Sequence, residues 1–461
     1  MNQVRTPIIP SHVTRIGVED TMDLKAICVF TAIGFFLGED TYYKGLKALK
    51  PAHDYLLDGQ KIVSATPYFH WHNTPRAISL ADATAEFKTL FDRLIQEAVG
   101  NKKVILPLSG GLDSRSLAAG LKHAGADVQA YSYSFEGGVD ETYYAKQIAD
   151  AEGFPLQQLS IPRGYLWPTI DEHAQINACY SEFTHGRQMA FSKQYAAWGD
   201  VFLLGHWGDV LFDNMRVDNE LPFEQQVDVL IKKLVKMGGM ELGSALWEAW
   251  GLAGDFKTYL RERIAELLHE IPIENNANTR LRAFKSMHWA HRWTTVNLSV
   301  FEKSKPIALP YFDNAMCEFI CTLPEELLSK RKIQIEYLKQ YAPELARIEW
   351  QEYRPFNLYN YHKRTPWRTL PYRAMQRIKT MLQSKQFVQR NWELQFVGDT
   401  NEKALQERLF HEKTMNEWVP TDVVKTMYAR FQNENPVYYA HAVSMLLTLS
   451  LFSRHLKQKN A

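Results

Sequence analysis

Residues 104 to 114 read Val-Ile-Leu-Pro-Leu-Ser-Gly-Gly-Leu-Asp-Ser, an apolar strand running straight into a small-residue turn, an acid and a hydroxyl. A turn of this kind is built to hold pyrophosphate. With no side chains at Gly110 and Gly111, backbone N–H groups point into one concavity, and Ser109 and Ser114 add hydroxyl donors, which makes an anion nest. Leu117, Ala118 and Leu121 then recur at helical spacing, so the helix after the turn aims its positive N-terminal end at the same place. A carboxylate here would repel polyphosphate unless a divalent cation sat between them, and Asp113 therefore reads as a magnesium ligand. No G-x-x-x-x-G-K-[ST] and no G-x-G-x-x-G occurs elsewhere in the chain, so neither common rival phosphate motif competes.

Apolar and amphipathic segments alternate around this turn. The pattern predicts strands at 104–108, 128–134, 156–160 and 201–204, with helices over 83–99, 114–124 and 142–152. Such alternation implies right-handed crossovers and a parallel sheet covered on both faces, with ligands bound outside the carboxyl ends of the strands. The loops leaving Leu108 and Leu204 should meet around one ligand. Upstream, Asp23 to Leu37 reads as an apolar helix, followed by short strands around 55–59 and 68–71. Beyond about residue 220 the pattern turns helical, without repeats or low-complexity tracts. The expected organisation is a leading segment over 1–80, a nucleotide-site domain over 81–360 and a helical C-terminal extension over 361–461.

Composition excludes several classes. The 461 residues carry 53 Lys plus Arg against 52 Asp plus Glu, a balance that gives no wholesale attraction to nucleic acid. Four cysteines at 28, 179, 317 and 321 form no C-x-x-C, which argues against a disulfide framework or a thiolate metal site. Cys317 and Cys321 read as neighbours on one helix. The longest apolar run, Ala26 to Leu37, is too short to span a bilayer, and no signal pattern precedes it; a cytoplasmic protein is expected. His288 with His291, and His70 with His72 in an expected strand, lack a zinc-type pattern. The basic segment Arg368 to Arg390 reads as a solvated helical face.

A second carboxylate sits in Gly205-His-Trp-Gly-Asp-Val-Leu-Phe-Asp213, directly after the strand ending at Leu204. Two acids from different strand ends, Asp113 and Asp209, can grip one magnesium ion. The Ser-Gly-Gly-Leu-Asp-Ser run resembles the signature loop of the ATP pyrophosphatases, which split ATP between its α and β phosphates and activate a substrate as an adenylate. Both loops together resemble the synthetase domain of the asparagine synthetase family. Asp140-Glu141 with Ala145, Ile148 and Ala149, then Leu309-Pro-Tyr-Phe-Asp313 with Glu318-Phe and Leu323-Pro-Glu-Glu, extend the likeness, as does the closing helix around Leu446 to Phe452. Gly34 through Leu49-Lys-Pro51 is similar to the bridge that follows the family's N-terminal domain.

The resemblance implies an α/β fold of the PP-loop, adenine-nucleotide α-hydrolase-like type, a doubly wound five-stranded parallel sheet with extensive helical additions. It implies ATP and Mg2+ as cofactors, with Leu108, Ser109, Gly110, Gly111, Leu112, Asp113, Ser114 and Gly205 at ATP and pyrophosphate, and Asp113 and Asp209 on the metal. The implied reaction is AMP-forming amide ligation of a small-molecule, peptide or sugar carboxylate. Three departures bear on the transfer step. The chain begins Met1-Asn2 with its first cysteine at Cys28, so the family's glutaminase domain is expected to be absent, and the nitrogen would come from an amine, from free ammonia or from a separate protein. His206 replaces a glutamate that assists the amine, and Trp207 and Val210 replace a small residue and an acid. The family's transition-state lysine has no clear counterpart in Trp350-Gln-Glu-Tyr-Arg-Pro-Phe356, where Arg354 stands as the substitute. His206 and Arg354 are accordingly the candidate catalytic residues, and Thr184-His-Gly-Arg187 falls between the loops where a substrate contact would lie. The other readings are a nucleotide-binding regulatory or scaffold protein that has lost transfer, and a tRNA-modifying relative of the same nucleotide fold.

Overall fold

A computed structural model of the chain describes every residue except 1, 7–13, 139–141, 366, 368–369, 371–390, 413 and 461. Asp140-Glu141 and most of the basic segment from Arg368 to Arg390 thus lie outside the described residues. Five short strands lead: β1 (Asn2–Arg5), β2 (Arg15–Gly17), β3 (Leu46–Ala48), β4 (His53–Asp58) and β5 (Lys61–Pro67). β1, β4 and β5 form an antiparallel sheet, and β2 pairs with β3. Residues 68–71 are not the strand expected there. β5 stops at Pro67, which has no N–H to extend a ladder, and Trp71 is buried instead of continuing the edge. His70 and His72 are therefore not strand neighbours, and the His72 ring pairs with Glu318 at 3.0 Å.

Helix α1 (Leu24–Ile33) is apolar on nearly all sides and buried accordingly. The Asp23 carboxylate caps it by accepting from the Ala26 N–H at 3.1 Å, and Gly34, at φ 88°, ends it. Helix α2 (Leu80–Val99) starts three residues before the apolar rhythm does, because Ser79 accepts from the Asp82 N–H as its cap. It turns Phe87, Phe91, Leu94 and Ile95 inward and delivers the chain to the central sheet.

That sheet contains β6 (Val104–Pro107), β7 (Val128–Phe135), β8 (Leu156–Ile161), β9 (Val201–Leu203) and β10 (Ile307–Ala308), in the order β10-β9-β6-β7-β8 and parallel throughout. Helix α3 (Leu112–His123) follows β6, and α4 (Thr142–Glu152) follows β7. Four strands lie within a residue or so of the expected positions. The fifth, β10, is two residues long and too short to show any period in sequence. Along β6 the pleat sends Val104 and Leu106 into the core on one face and Ile105 into the other, with Tyr131, Phe202 and Leu204. The chain winds from β6 outward through β7 and β8, then returns to place β9 on β6's other side. The switch point therefore falls between β6 and β9, where a crevice opens at the carboxyl ends. No helix among the described residues is long and apolar enough to cross a membrane.

Candidate active site

The loop after β6 is held in shape before any ligand arrives. The Ser109 and Ser114 hydroxyls lie 3.0 Å apart, Ser114 Oγ accepts from the Ser109 N–H at 3.2 Å, and Ser109 Oγ accepts from the Gly111 N–H at 3.3 Å. Gly111 opens α3 without a side-chain cap, leaving the first-turn N–H groups for an anion. Behind the loop, the buried guanidinium of Arg115 donates to the carbonyls of Gly110, Leu345, Ile348 and Glu349. Gln351 packs against Gly110 as a result, so the segment 345–351 forms the back wall of the nest.

The loop after β9 comes hard against it. An added Cβ at Gly208 would fall 2.2 Å from Asp113 Oδ1 and 3.0 Å from the Tyr311 ring, so only glycine allows this approach. Gly208→Ala should weaken nucleotide binding by roughly tenfold or more through displacement of the loop, measured by ATP titration. Trp207 adopts φ 80°, a left-handed conformation costing a bulky residue about 1–3 kcal/mol, and its Nε1–H donates to Ser286 Oγ at 2.9 Å.

Asp113 is therefore flanked by the neighbouring acid. Burial raises its pKa most, Arg331 opposes that, and the like charge of Asp209 raises it further. Asp113 Oδ1 accepts from the Arg331 guanidinium and, at 3.0 Å, from Gln334, which also reaches the Tyr311 hydroxyl. Its Oδ2 accepts from no described residue, and Asp209 stands exposed in the cavity. Two neighbouring carboxylates of this kind suit a hard cation whose other ligands are phosphate oxygens and water. No cluster of three or more metal-ligating side chains occurs among the described residues, so neither histidine pair makes a zinc site. His291 instead bonds the Leu49 carbonyl at 2.9 Å.

These loops line a cavity of about 640 Å³ that also takes in Tyr131 to Tyr133 at the end of β7. Leu108, Ser109, Gly111, Asp113, Ser114, Gly205, His206 and Asp209 all line it, whereas Gly110 and Leu112 are packed beneath. His206 is open to the cavity, yet the crowding of protein around it pushes its pKa down to about 4, against the pull of Asp209. It is neutral at pH 7. Arg354 does not line the cavity; it follows the segment that Arg115 holds behind the loop. Arg187 and Lys285 are the cationic side chains that do, among the described residues. Lys285 begins a π-helix, Lys285–Thr294, a rare form in which residues four apart stay near one face, here Lys285, Trp289 and Trp293. Its ammonium lies 5.6 Å from the Trp207 ring centroid and 5.0 Å from that of Trp289, and burial lowers its pKa to about 8 although Asp209 raises it.

The sequence model of the asparagine synthase family matches residues 87–419, which contain both loops and the back wall. The chain belongs to the asparagine synthase family. Its members are ATP-dependent amide ligases that work by adenylation. None of the curated proteins matches the chain. Among solved structures, the NMN synthetase of Francisella tularensis is similar over 42% of this chain and 96% of its own, at 13% identity and a TM-score of 0.23. The NH3-dependent NAD synthetase of Campylobacter jejuni covers 41% and 95% at 14% identity and 0.22, and the U34-tRNA thiolase of Methanococcus maripaludis covers 44% and 78% at 13% and 0.21. Likenesses at this level add nothing to the sheet order, which by itself gives the α/β architecture.

Within this asparagine synthase site, sequence reasoning missed Lys285 and Arg331. Arg331 reaches Asp113 from a left-handed residue at φ 61°, for which no local signal exists. Lys285 leaves a faint one, since Lys285-x-x-x-Trp289-x-x-x-Trp293 repeats a cation and two rings at a spacing of four.

Proposed function

We propose that this protein adenylates a carboxylate with ATP and transfers the acyl group to an amine. The observation that carries the reading is the meeting of the Ser109–Ser114 nest and the Asp113–Asp209 pair at the switch point of the sheet. The nest and the N-terminus of α3 hold the β and γ phosphates. Asp113 and Asp209 would hold Mg2+, which would supply positive charge against the charge gathering on departing pyrophosphate. A substrate carboxylate oxygen attacks the α phosphorus, the bond to the α–β bridging oxygen breaks, and pyrophosphate leaves with that oxygen. The amine nitrogen then attacks the acyl carbon, the bond to the AMP oxygen breaks, AMP leaves with that oxygen, and the nitrogen gives up a proton to solvent water.

Lys285 supplies positive charge beside the tetrahedral intermediate, the role that the family resemblance implies for Arg354. Neutral His206 accepts a hydrogen bond from the incoming amine and orients its lone pair; with so low a pKa it orients better than it removes protons. Product analysis tests the reading directly: ATP consumption with a substrate acid should give AMP and pyrophosphate, and ADP with phosphate would refute it. Lys285→Met should lower the transfer rate by about 10²-fold with adenylation less affected.

The pH dependence has a definite sign. Lys285 acts protonated, so activity falls as pH rises through about 8, and His206 acts neutral, so activity falls as pH drops toward about 4. Lys285→Arg should move the alkaline limb upward, because a guanidinium keeps its proton. An unchanged alkaline limb in that variant would exclude Lys285 as its source.

A further inference from the structure

A second cavity, of about 270 Å³, lies on the other side of Trp207. The π-helix is the common partition. Lys285, Trp289 and Trp293 face the nucleotide cavity, while Ser286, Met287 and Ala290 face the second one, and Trp207 lines both. The bond from Trp207 Nε1 to Ser286 fixes the indole across this partition. Rings dominate the second cavity's walls: Phe69 and Trp71 meet edge to face at 5.6 Å, and Trp207 and Phe312 lie 6.1 Å apart. Such walls attract flat apolar groups and organic cations.

Charge decides between an acid and an amine as occupant. In its wall, Lys50 pairs with Glu270 at 3.2 Å, and Glu39, just outside the lining, stands 3.9 Å from the same ammonium, one cation against two carboxylates. The lining holds no further lysine or arginine; of its histidines, His291 and His53 are engaged with the Leu49 and Pro51 carbonyls, and His70 is exposed to solvent. A carboxylate would find the lining's one lysine already answered by two acids, whereas an ammonium would be drawn toward them. The volume suits a single aromatic ring with a short chain and wastes its apolar surface on ammonia.

We infer that this second cavity is the acceptor subsite, that it takes a primary amine carried on a compact aromatic or apolar group, and that Trp207 is the wall over which the amine reaches the acyl group. This rests on the ligase reading proposed above and names its nitrogen donor by class. The amine is drawn in as the ammonium toward Glu270, gives its proton to solvent water, and presents its neutral nitrogen beside His206.

Phenethylamine, phenylacetate and ammonium chloride serve as probes in calorimetric titrations of the full-length protein. Phenethylamine should bind at least tenfold more tightly than phenylacetate or ammonium. Met287→Trp, which fills the cavity from the π-helix, should cut phenethylamine binding at least tenfold and leave ATP binding intact. Pro272→Trp narrows the cavity from an exposed turn and keeps the test open if the first variant does not fold. Phenethylamine binding that is absent, weaker than phenylacetate binding or indifferent to both fillings would overturn the inference. Acid-dependent pyrophosphate exchange needs no amine. Its absence therefore refutes adenylation, whereas intact exchange without amine binding refutes the acceptor subsite alone.

Discussion

Asp209→Asn should reduce AMP formation by roughly 10³-fold while leaving the melting temperature unchanged. The asymmetry follows from the surroundings of the two acids. Asp209 is exposed in the cavity and makes no hydrogen bond or ion pair among the described residues, so losing its charge would cost only the proposed cation and phosphate contacts. Asp113 is different. Its carboxylate also answers the Arg331 guanidinium, whose side chain is only 13% exposed, so Asp113→Asn leaves a largely buried cation without its counter-charge and should lower activity and stability together. Measuring both variants by product formation and by thermal unfolding separates the two roles. Equal loss of stability in both, or near-normal turnover in Asp209→Asn, would contradict the shared-cation arrangement.

Arg115→Met should destabilise the fold by about 3–5 kcal/mol, a drop of roughly 10 °C in melting temperature. Arg115 is fully buried and pairs with no carboxylate among the described residues, and burial lowers its pKa to about 10. What offsets that burial is a set of four carbonyl acceptors at 2.8 to 3.2 Å, from Gly110 and from residues 345, 348 and 349. Methionine fills much of the volume and removes all the donors, stranding those carbonyls. Because Gly110 belongs to the nest, ATP affinity should fall in the same variant. Arg347 makes a useful control: its pair with Glu344 is exposed on both sides, and Arg347→Ala should cost under about 1 kcal/mol. A variant at 115 that melts with the wild type would show that the back wall is held by something else.

How much of this was legible in the sequence depends on how local each signal is. Four of the five sheet strands and the pyrophosphate turn could be read because Val104 to Ser114 carries its own pattern of apolar run, glycines, acid and helix. Asp209 could be read as well, since it follows a strand whose end must face the same crevice. β10 could not, because two residues have no period. The strand expected at 68–71 failed for a related reason: Tyr68-Phe-His-Trp71 has strand-forming residues, but Pro67 closes the ladder just before them. Position along the chain points to Arg354 as the cation of the site, whereas Lys285 arrives in space, on a π-helix whose register no helical pattern anticipates. Arg331 and Arg115 are likewise products of tertiary packing, joining Asp113 and Gly110 to segments more than two hundred residues away.

The most direct measurement is exchange of labelled pyrophosphate into ATP, with Mg2+ present and a panel of small-molecule, peptide and sugar carboxylic acids added one at a time. The account expects exchange that requires an acid, occurs without any amine, and disappears in Asp209→Asn. Tight ATP binding with no exchange for any acid, or exchange that persists in Asp209→Asn, would contradict it.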